Sequence, residues 1–149
     1  MNHTIFRSLC FLLFLATFSF QAGKVVGFFG RYYLYVHNGL PDDSTPLTVH
    51  CASGNDDIGY HNLTVNQDLT WSFHMNFFRN TLYFCHFWRG AKSAMFDVYN
   101  DTWAYYCGHY HQSDKYCYWL VKENGFYFTG QQHHNVPGPF DNHPAIGWS

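Results

Sequence analysis

Five cysteines pose the first chemical question: Cys10, Cys51, Cys85, Cys107 and Cys117. A thiol can bridge, bind metal or act as a nucleophile, and the redox compartment decides among these. Cys107, His109, His111 and Cys117 fall within eleven residues, a donor set that zinc accepts tetrahedrally. No Cys-x-x-Cys pair accompanies them, and an oxidising compartment consumes thiols first, so the spacing favours bridges over a zinc centre. A hydrolytic centre made from His50 with His109 or His111 would need these groups to converge on one cleft. Their spacing gives no sign of it, and no Gly-x-Ser-x-Gly motif is present. Asp56-Asp57 lacks the further oxygen ligands of a calcium loop and reads as a turn that caps its own backbone. The sequence thus predicts no catalytic residue, no metal and no cofactor. Two sequons, Asn62-Leu63-Thr64 and Asn100-Asp101-Thr102, are candidate glycosylation sites. Asn100 opens a loop and reads as the more accessible.

The compartment follows from the first residues. Arg7 supplies a positive start, and 9–20 is an apolar run of twelve, too short to span a bilayer comfortably. Residues 1–22 therefore read as a secretory signal, followed by a lead-in at 23–30. No second apolar run of membrane length follows, which predicts a secreted, extracellular protein with no stable membrane insertion. Loss of the signal takes Arg7 and Cys10 with it. The 8 Lys+Arg of the chain become 7 against 10 Asp+Glu, a net charge of −3 with His neutral. That balance argues against a nucleic-acid partner. Four cysteines remain, an even number that implies disulfides in a secreted domain.

The elements that position these groups are strands. Aromatics make up 22% of the chain and charged residues only 12%, which disfavours disorder and favours β-structure. Leu69, Trp71, Phe73, Met75 and Phe77 alternate strictly with Thr70, Ser72, His74 and Asn76, the period of a half-buried strand. A turn at Phe78-Arg79-Asn80 then predicts a hairpin across 68–89, with Cys85 in mid-strand. Further strands are expected at 32–38, 46–53, 60–66, 93–100, 116–122 and 126–129, with a hairpin turn at Glu123-Asn124-Gly125. Strands of this number and spacing predict an all-β fold, an antiparallel sandwich of about seven or eight short strands over 31–129. The Pro-, Gly- and His-rich stretch 130–149 reads as a flexible tail, unstructured or loosely docked. Cys51 follows Leu47 and Val49 on one apolar face, and Cys117 precedes Trp119 and Val121 on another. Of the three pairings that four cysteines allow, strand facing favours Cys51 with Cys117, and Cys85 with Cys107.

Several landmarks together resemble the plant self-incompatibility S-protein homologue family. His50-Cys51-Ala52-Ser53-Gly54-Asn55-Asp56-Asp57-Ile58-Gly59 is similar to its His-Cys-x-Ser-x-x-Asp-Asp-Leu-Gly stretch. Trp71-Ser72-Phe73 and Thr81-Leu82-Tyr83-Phe84-Cys85 resemble its central strand pair. Cys107, Cys117-Tyr118-Trp119 and Gly125-Phe126-Tyr127 match its C-terminal pattern, and Val36-His37-Asn38-Gly39-Leu40 its opening strand. The likeness covers 32–128. It implies a small secreted β-sandwich with two intrachain disulfides. The family's founding members are female determinants of self-incompatibility, released by the stigma and recognised by incompatible pollen.

The chain departs from the family pattern in its aromatic, His-rich segment around 103–111. Trp103, Tyr105, Tyr106, His109, Tyr110 and His111 there form the candidate partner-binding loop, since Tyr and Trp give large contact area at small entropic cost. The same rings would equally serve by folding back over the core, held by Cys107. The expectation is a non-catalytic ligand for a cell-surface receptor or other extracellular protein, with self-pollen rejection as one role. A carbohydrate-binding or defence module is the alternative, and a hydrolase a more distant one.

Overall fold

Side chains that alternate with a period of two need something to bury one face against, and here two sheets bury each other. The computed structural model describes residues 30–76, 78, 80–108, 114–133, 136–137 and 144–149, without the side chains of 131–133 and 136–137. The expected signal 1–22 lies outside the described residues, as does all of the expected lead-in except Gly30. Sheet A runs in the order β4(Asp68–His74), β1(Arg31–Asn38), β7(Asp114–Lys122), β8(Gly125–His133) and β9(Val136–Pro137). Sheet B runs β3(Asp57–Leu63), β2(Leu47–Ser53), β5(Tyr83–Arg89) and β6(Lys92–Tyr99). The neighbours are antiparallel except β1 and β7, which run parallel with Leu34 beside Cys117 and Val36 beside Trp119. The all-β sandwich is as expected. This one parallel pair departs from an all-antiparallel fold.

Facing positions of the two sheets form the core. Leu34 and Val36 of β1, Val49 of β2, Phe87 of β5, Val98 of β6, Trp119 and Val121 of β7 and Phe126 of β8 are fully buried. Phe96 stands 4.9 Å from Phe126 and 5.0 Å from Trp119, a cluster of aromatic rings spanning both sheets. The Trp119 indole N–H donates to the Val98 carbonyl at 2.8 Å, so the large ring enters the core with no polar atom stranded. Asn38 does similar work at the end of β1. Its Nδ2 donates to the Leu63 carbonyl at 2.8 Å, stitching sheet A to sheet B, and its Oδ1 accepts from the Leu40 N–H.

Three expectations are corrected. The hairpin across 68–89 does not form: β4 belongs to sheet A and β5 to sheet B. Alternation tells which side of a strand is buried and says nothing of which sheet holds it. Between β4 and β5 the chain passes from one layer to the other. The cysteine pairing also differs. Cys51 bonds Cys85, and Cys107 bonds Cys117. Cys51 and Cys85 are directly opposite on neighbouring strands of sheet B, 4.1 Å apart at Cα. Facing the core together is therefore weaker than sharing a register position. Cys107 caps the end of a helix, and its own backbone carbonyl accepts from the Tyr116 N–H at 2.9 Å, which brings it beside Cys117. On loop-closure entropy, separations of 34 and 10 residues correspond to about 4 and about 3 kcal/mol.

The third correction concerns the tail. β8 continues past the expected end at 129 to His133, and residues 144–149 are docked, one of the two states expected of the tail. Phe126 N–H donates to the Ile146 carbonyl at 2.8 Å, and the Ala145 N–H returns to the Phe126 carbonyl at 2.7 Å. Trp148 packs 4.6 Å from Phe126 and donates its indole N–H to the Lys122 carbonyl. Ser149 and Ser93 exchange backbone bonds at 2.8 and 3.2 Å. The last residues therefore tie the start of β8 in sheet A to the edge strand β6 of sheet B. Gly125 makes room for them: a Cβ there would lie 2.4 Å from the Ile146 carbonyl oxygen.

Candidate functional site

The segment between β6 and β7 opens with Asn100, an extended residue whose Oδ1 accepts from the N–H groups of Thr102 and Trp103 at 3.0 and 3.1 Å. That is an N-cap, and Asp101 in the first turn complements the positive end of the helix. One helix follows, α1(Asp101–Tyr106). Six residues of this composition would not hold a helix alone. Three contacts fix it. Trp103 packs on side chains of sheet A, 4.9 Å from Trp119 and 4.6 Å from Phe128. Cys107 is bridged to Cys117 in mid-β7. Gly130 of β8 lies so close beneath that an added Cβ would collide with the Tyr106 carbonyl oxygen at 1.7 Å.

The predicted partner-binding residues therefore separate. Trp103 is half-buried and packs against the core, the second of the two readings for these rings. Tyr105 and Tyr106 stand out at 70% and 57% exposure, their rings edge to face at 5.2 Å. His109, Tyr110 and His111 lie outside the described residues. The zinc alternative loses two donors, because Cys107 and Cys117 are bonded to each other.

A second aromatic surface, which sequence reasoning did not single out, lies on the outer face of sheet B. Register places Tyr60, His50, His86 and Met95 in one row across β3, β2, β5 and β6. Tyr60 stacks on His50 at 4.2 Å, and Trp88 lies 6.0 Å from Tyr60 and 3.6 Å from His86. Tyr60 and Met95 remain 70% and 68% exposed. Phe84, Met95, Phe96 and Asp97 line a groove of about 330 Å³ beside them. The signal was present in Tyr60 and Trp88, which fall on the polar side of their strands.

The His50 imidazole donates from Nε2 to Asp57 Oδ1, 2.9 Å away. Asp57 is held below the usual carboxylate range, first by the Gly59 N–H at 2.9 Å and then by His50. Gly59 has φ +85, a conformation that favours glycine. Asp56 accepts from the Tyr83 hydroxyl at 3.2 Å. These carboxylates close a turn, as expected. His74 lies exposed at the end of β4 beside Arg31, on the other sheet from His50. The two sequons reverse the expected order of access. Asn62 is exposed on the edge strand β3, whereas Asn100 is half-buried and engaged as a cap.

Among the described residues, no group of three or more His, Cys, Asp or Glu is placed to hold a metal ion. Within the same residues no helix is long and apolar enough to cross a membrane.

Comparison with known proteins bears on what such surfaces do. A solved structure of Self-Incompatibility Protein Homologue proteins, described as "a widespread family of small, highly stable, secreted proteins from plants", aligns over 80% of this chain and 96% of its own. Its TM-score is 0.53 at 18% identity, a likeness of fold. S-protein homolog 24 of Arabidopsis thaliana is 35% identical over 88 residues, 58% of this chain and 54% of the relative. S-protein homolog 6 of the same plant is 35% identical over 91 residues, 60% of this chain and 62% of the relative. The chain thus spans between half and two thirds of the length of these curated relatives. The sequence model described as "Plant self-incompatibility protein S1" matches residues 33–140, most of the 149. With its two-sheet sandwich and two disulfides in place, the chain belongs to the plant self-incompatibility protein S1 family.

Proposed function

We propose that this protein is a secreted recognition ligand that acts by binding a cell-surface receptor or other extracellular protein, and that α1 presents the contact. The observation that carries the reading is the exposure of Tyr105 and Tyr106 on a helix fixed at both ends. Large rings already held in place lose little freedom on binding, so more of their contact energy appears as affinity. Tyrosine also combines an apolar ring with a hydroxyl, which suits a partially wet interface. The family supports an extracellular signalling role, and secretion agrees with the description of the solved relative. Self-pollen rejection is the specific role within this reading.

The test is the double substitution Tyr105→Ala, Tyr106→Ala. Both rings face solvent, so the melting temperature should stay within about 2 °C, near the limit for surface changes. Binding of the labelled secreted protein to plant cell surfaces, pollen included, should fall at least tenfold. Full binding by the double variant would remove α1 as the contact. A large fall in melting temperature would assign the rings to packing.

A further inference from the structure

On the outer face of sheet B the Tyr60 ring stands largely in solvent, and β3, which carries it, is an edge strand of the kind that invites association. Asn62 lies on this strand, two residues from Tyr60. Successive side chains leave opposite faces, so positions 60 and 62 share the outer one, while Leu63 turns into the core. Asn62 is exposed, and its Oδ1 accepts from the Thr48 hydroxyl at 2.8 Å. The amide nitrogen, the atom that would carry a sugar, is left outside that bond. Thr64 completes the sequon. Thr48 in turn sits opposite the half-buried Trp88 on β5, so the Asn62 amide heads a row that runs beside the row of Tyr60 and His50. The other sequon offers nothing comparable: Asn100 uses its oxygen on two helix N–H groups, and its nitrogen is 3.4 Å from Asp97.

We propose that Asn62 carries an N-linked glycan whose first sugar lies on the Tyr60 ring and covers the aromatic row of sheet B. The proposal rests on the secretion proposed above, because only the secretory route delivers the donor. The bond forms between Asn62 Nδ2 and C1 of an N-acetylglucosamine carried on a lipid diphosphate. The C1–O bond to phosphate breaks, the lipid diphosphate leaves, and the amide nitrogen gives up one proton. The sugar's C–H face is apolar and matches the exposed ring, which His50 stiffens from behind by stacking at 4.2 Å. A bulky, solvated chain anchored there also shields the β3 edge from pairing with another strand. It leaves Tyr105 and Tyr106 on α1 as the open aromatic surface.

The full chain is expressed in plant suspension cells as wild type, Y60A, T64A and the Y60A/T64A double variant. Peptide mapping of wild type from the medium should find an N-acetylhexosamine-based glycan at Asn62. Secreted protein with a bare Asn62 peptide would overturn the glycan while leaving secretion intact. Protein retained in the cell with residues 1–22 attached would sink the secretion reading, and this site with it. T64A removes the sequon without touching Asn62 or Tyr60, and should lower the melting temperature by about 3 °C. In the Y60A background the same substitution should cost about 1 °C, because the ring that receives the sugar is gone. Equal losses in the two backgrounds would overturn the stacking on Tyr60.

Discussion

On the outer face of sheet A, Tyr33 and Tyr35 of β1 stand against Tyr116 and Tyr118 of β7, their rings near parallel and 4.7 to 6.3 Å apart. Tyr116 and Tyr118 are buried although they point away from the core. On the outer face of sheet B, Tyr60 stacks as closely on His50 and yet stays largely in solvent. Strand position explains the difference. β1 and β7 are adjacent and internal to sheet A, and their parallel register puts Tyr33 beside Tyr116 and Tyr35 beside Tyr118. Tyr60 lies on edge strand β3 and Met95 on edge strand β6, where no further strand among the described residues shields them. A high aromatic content therefore does not by itself mark a recognition surface. Rings in the middle of a sheet shield each other, and rings at its edges and on α1 remain available.

Truncation offers the strongest way to break this contrast. Tyr118→Ala removes a buried ring from between its neighbours and should cost about 3 kcal/mol in guanidinium unfolding. Trp88→Ala removes a larger side chain from the half-exposed face of sheet B and should cost about 1 kcal/mol. If the larger ring on sheet B proves the more costly, the distinction between the faces fails.

The phenols provide a gentler probe. Burial, then the neighbouring Tyr35 and Tyr116, push Tyr118 up to about 12, and burial followed by Tyr116 raises Tyr35 as well. A tyrosine in the unfolded chain ionises near pH 10. The folded face thus favours the neutral phenol, and its contribution is complete below about pH 10 and lost as pH rises through about 12. Urea midpoints should fall across that window. Tyr118→Phe keeps the ring and cannot ionise, so its midpoint should fall less steeply. An identical pH profile for wild type and Y118F would mean that the sheet A phenols are as free as those in solution.

Which of these features the sequence could reveal follows from the range of the interactions involved. Alternation in 69–74 and 31–38 is local, so the strands and their buried sides were legible. The partner of each strand was not. Cys51 and Cys85 meet because β2 and β5 pair in one register, which no local pattern encodes. The crossing from β4 to β5 was hidden for the same reason. α1 was overlooked because Trp103, Tyr105 and Tyr106 are modest helix formers. Its start was nevertheless written in Asn100-Asp101, a capping residue followed by an acidic first turn. The docked tail likewise announced itself in Ile146 and Trp148, two apolar side chains in a stretch otherwise read as polar and loose. In the candidate site, exposure divided Tyr105 and Tyr106 from Trp103, and exposure is a property of packing.

The finest contrast between the faces lies in their His–Asp pairs. His37 meets Asp68 at 2.6 Å on sheet A, and His50 meets Asp57 at 2.9 Å on sheet B. The Asp57 carboxylate differs in also accepting the Gly59 N–H, the larger cause of its lowered pKa. A depressed carboxylate contributes stability above its unfolded pKa, and that contribution is lost as pH falls through the folded value. Asp57 is exposed, so the effect on stability is small and best read at the group itself. A carbon-detected NMR titration of His50→Gln should show Asp57 still below the usual carboxylate range, because the glycine amide is untouched. Return of Asp57 to the ordinary value would make the imidazole its main partner. The turn at Gly59 would then be a bystander to the electrostatics of this face.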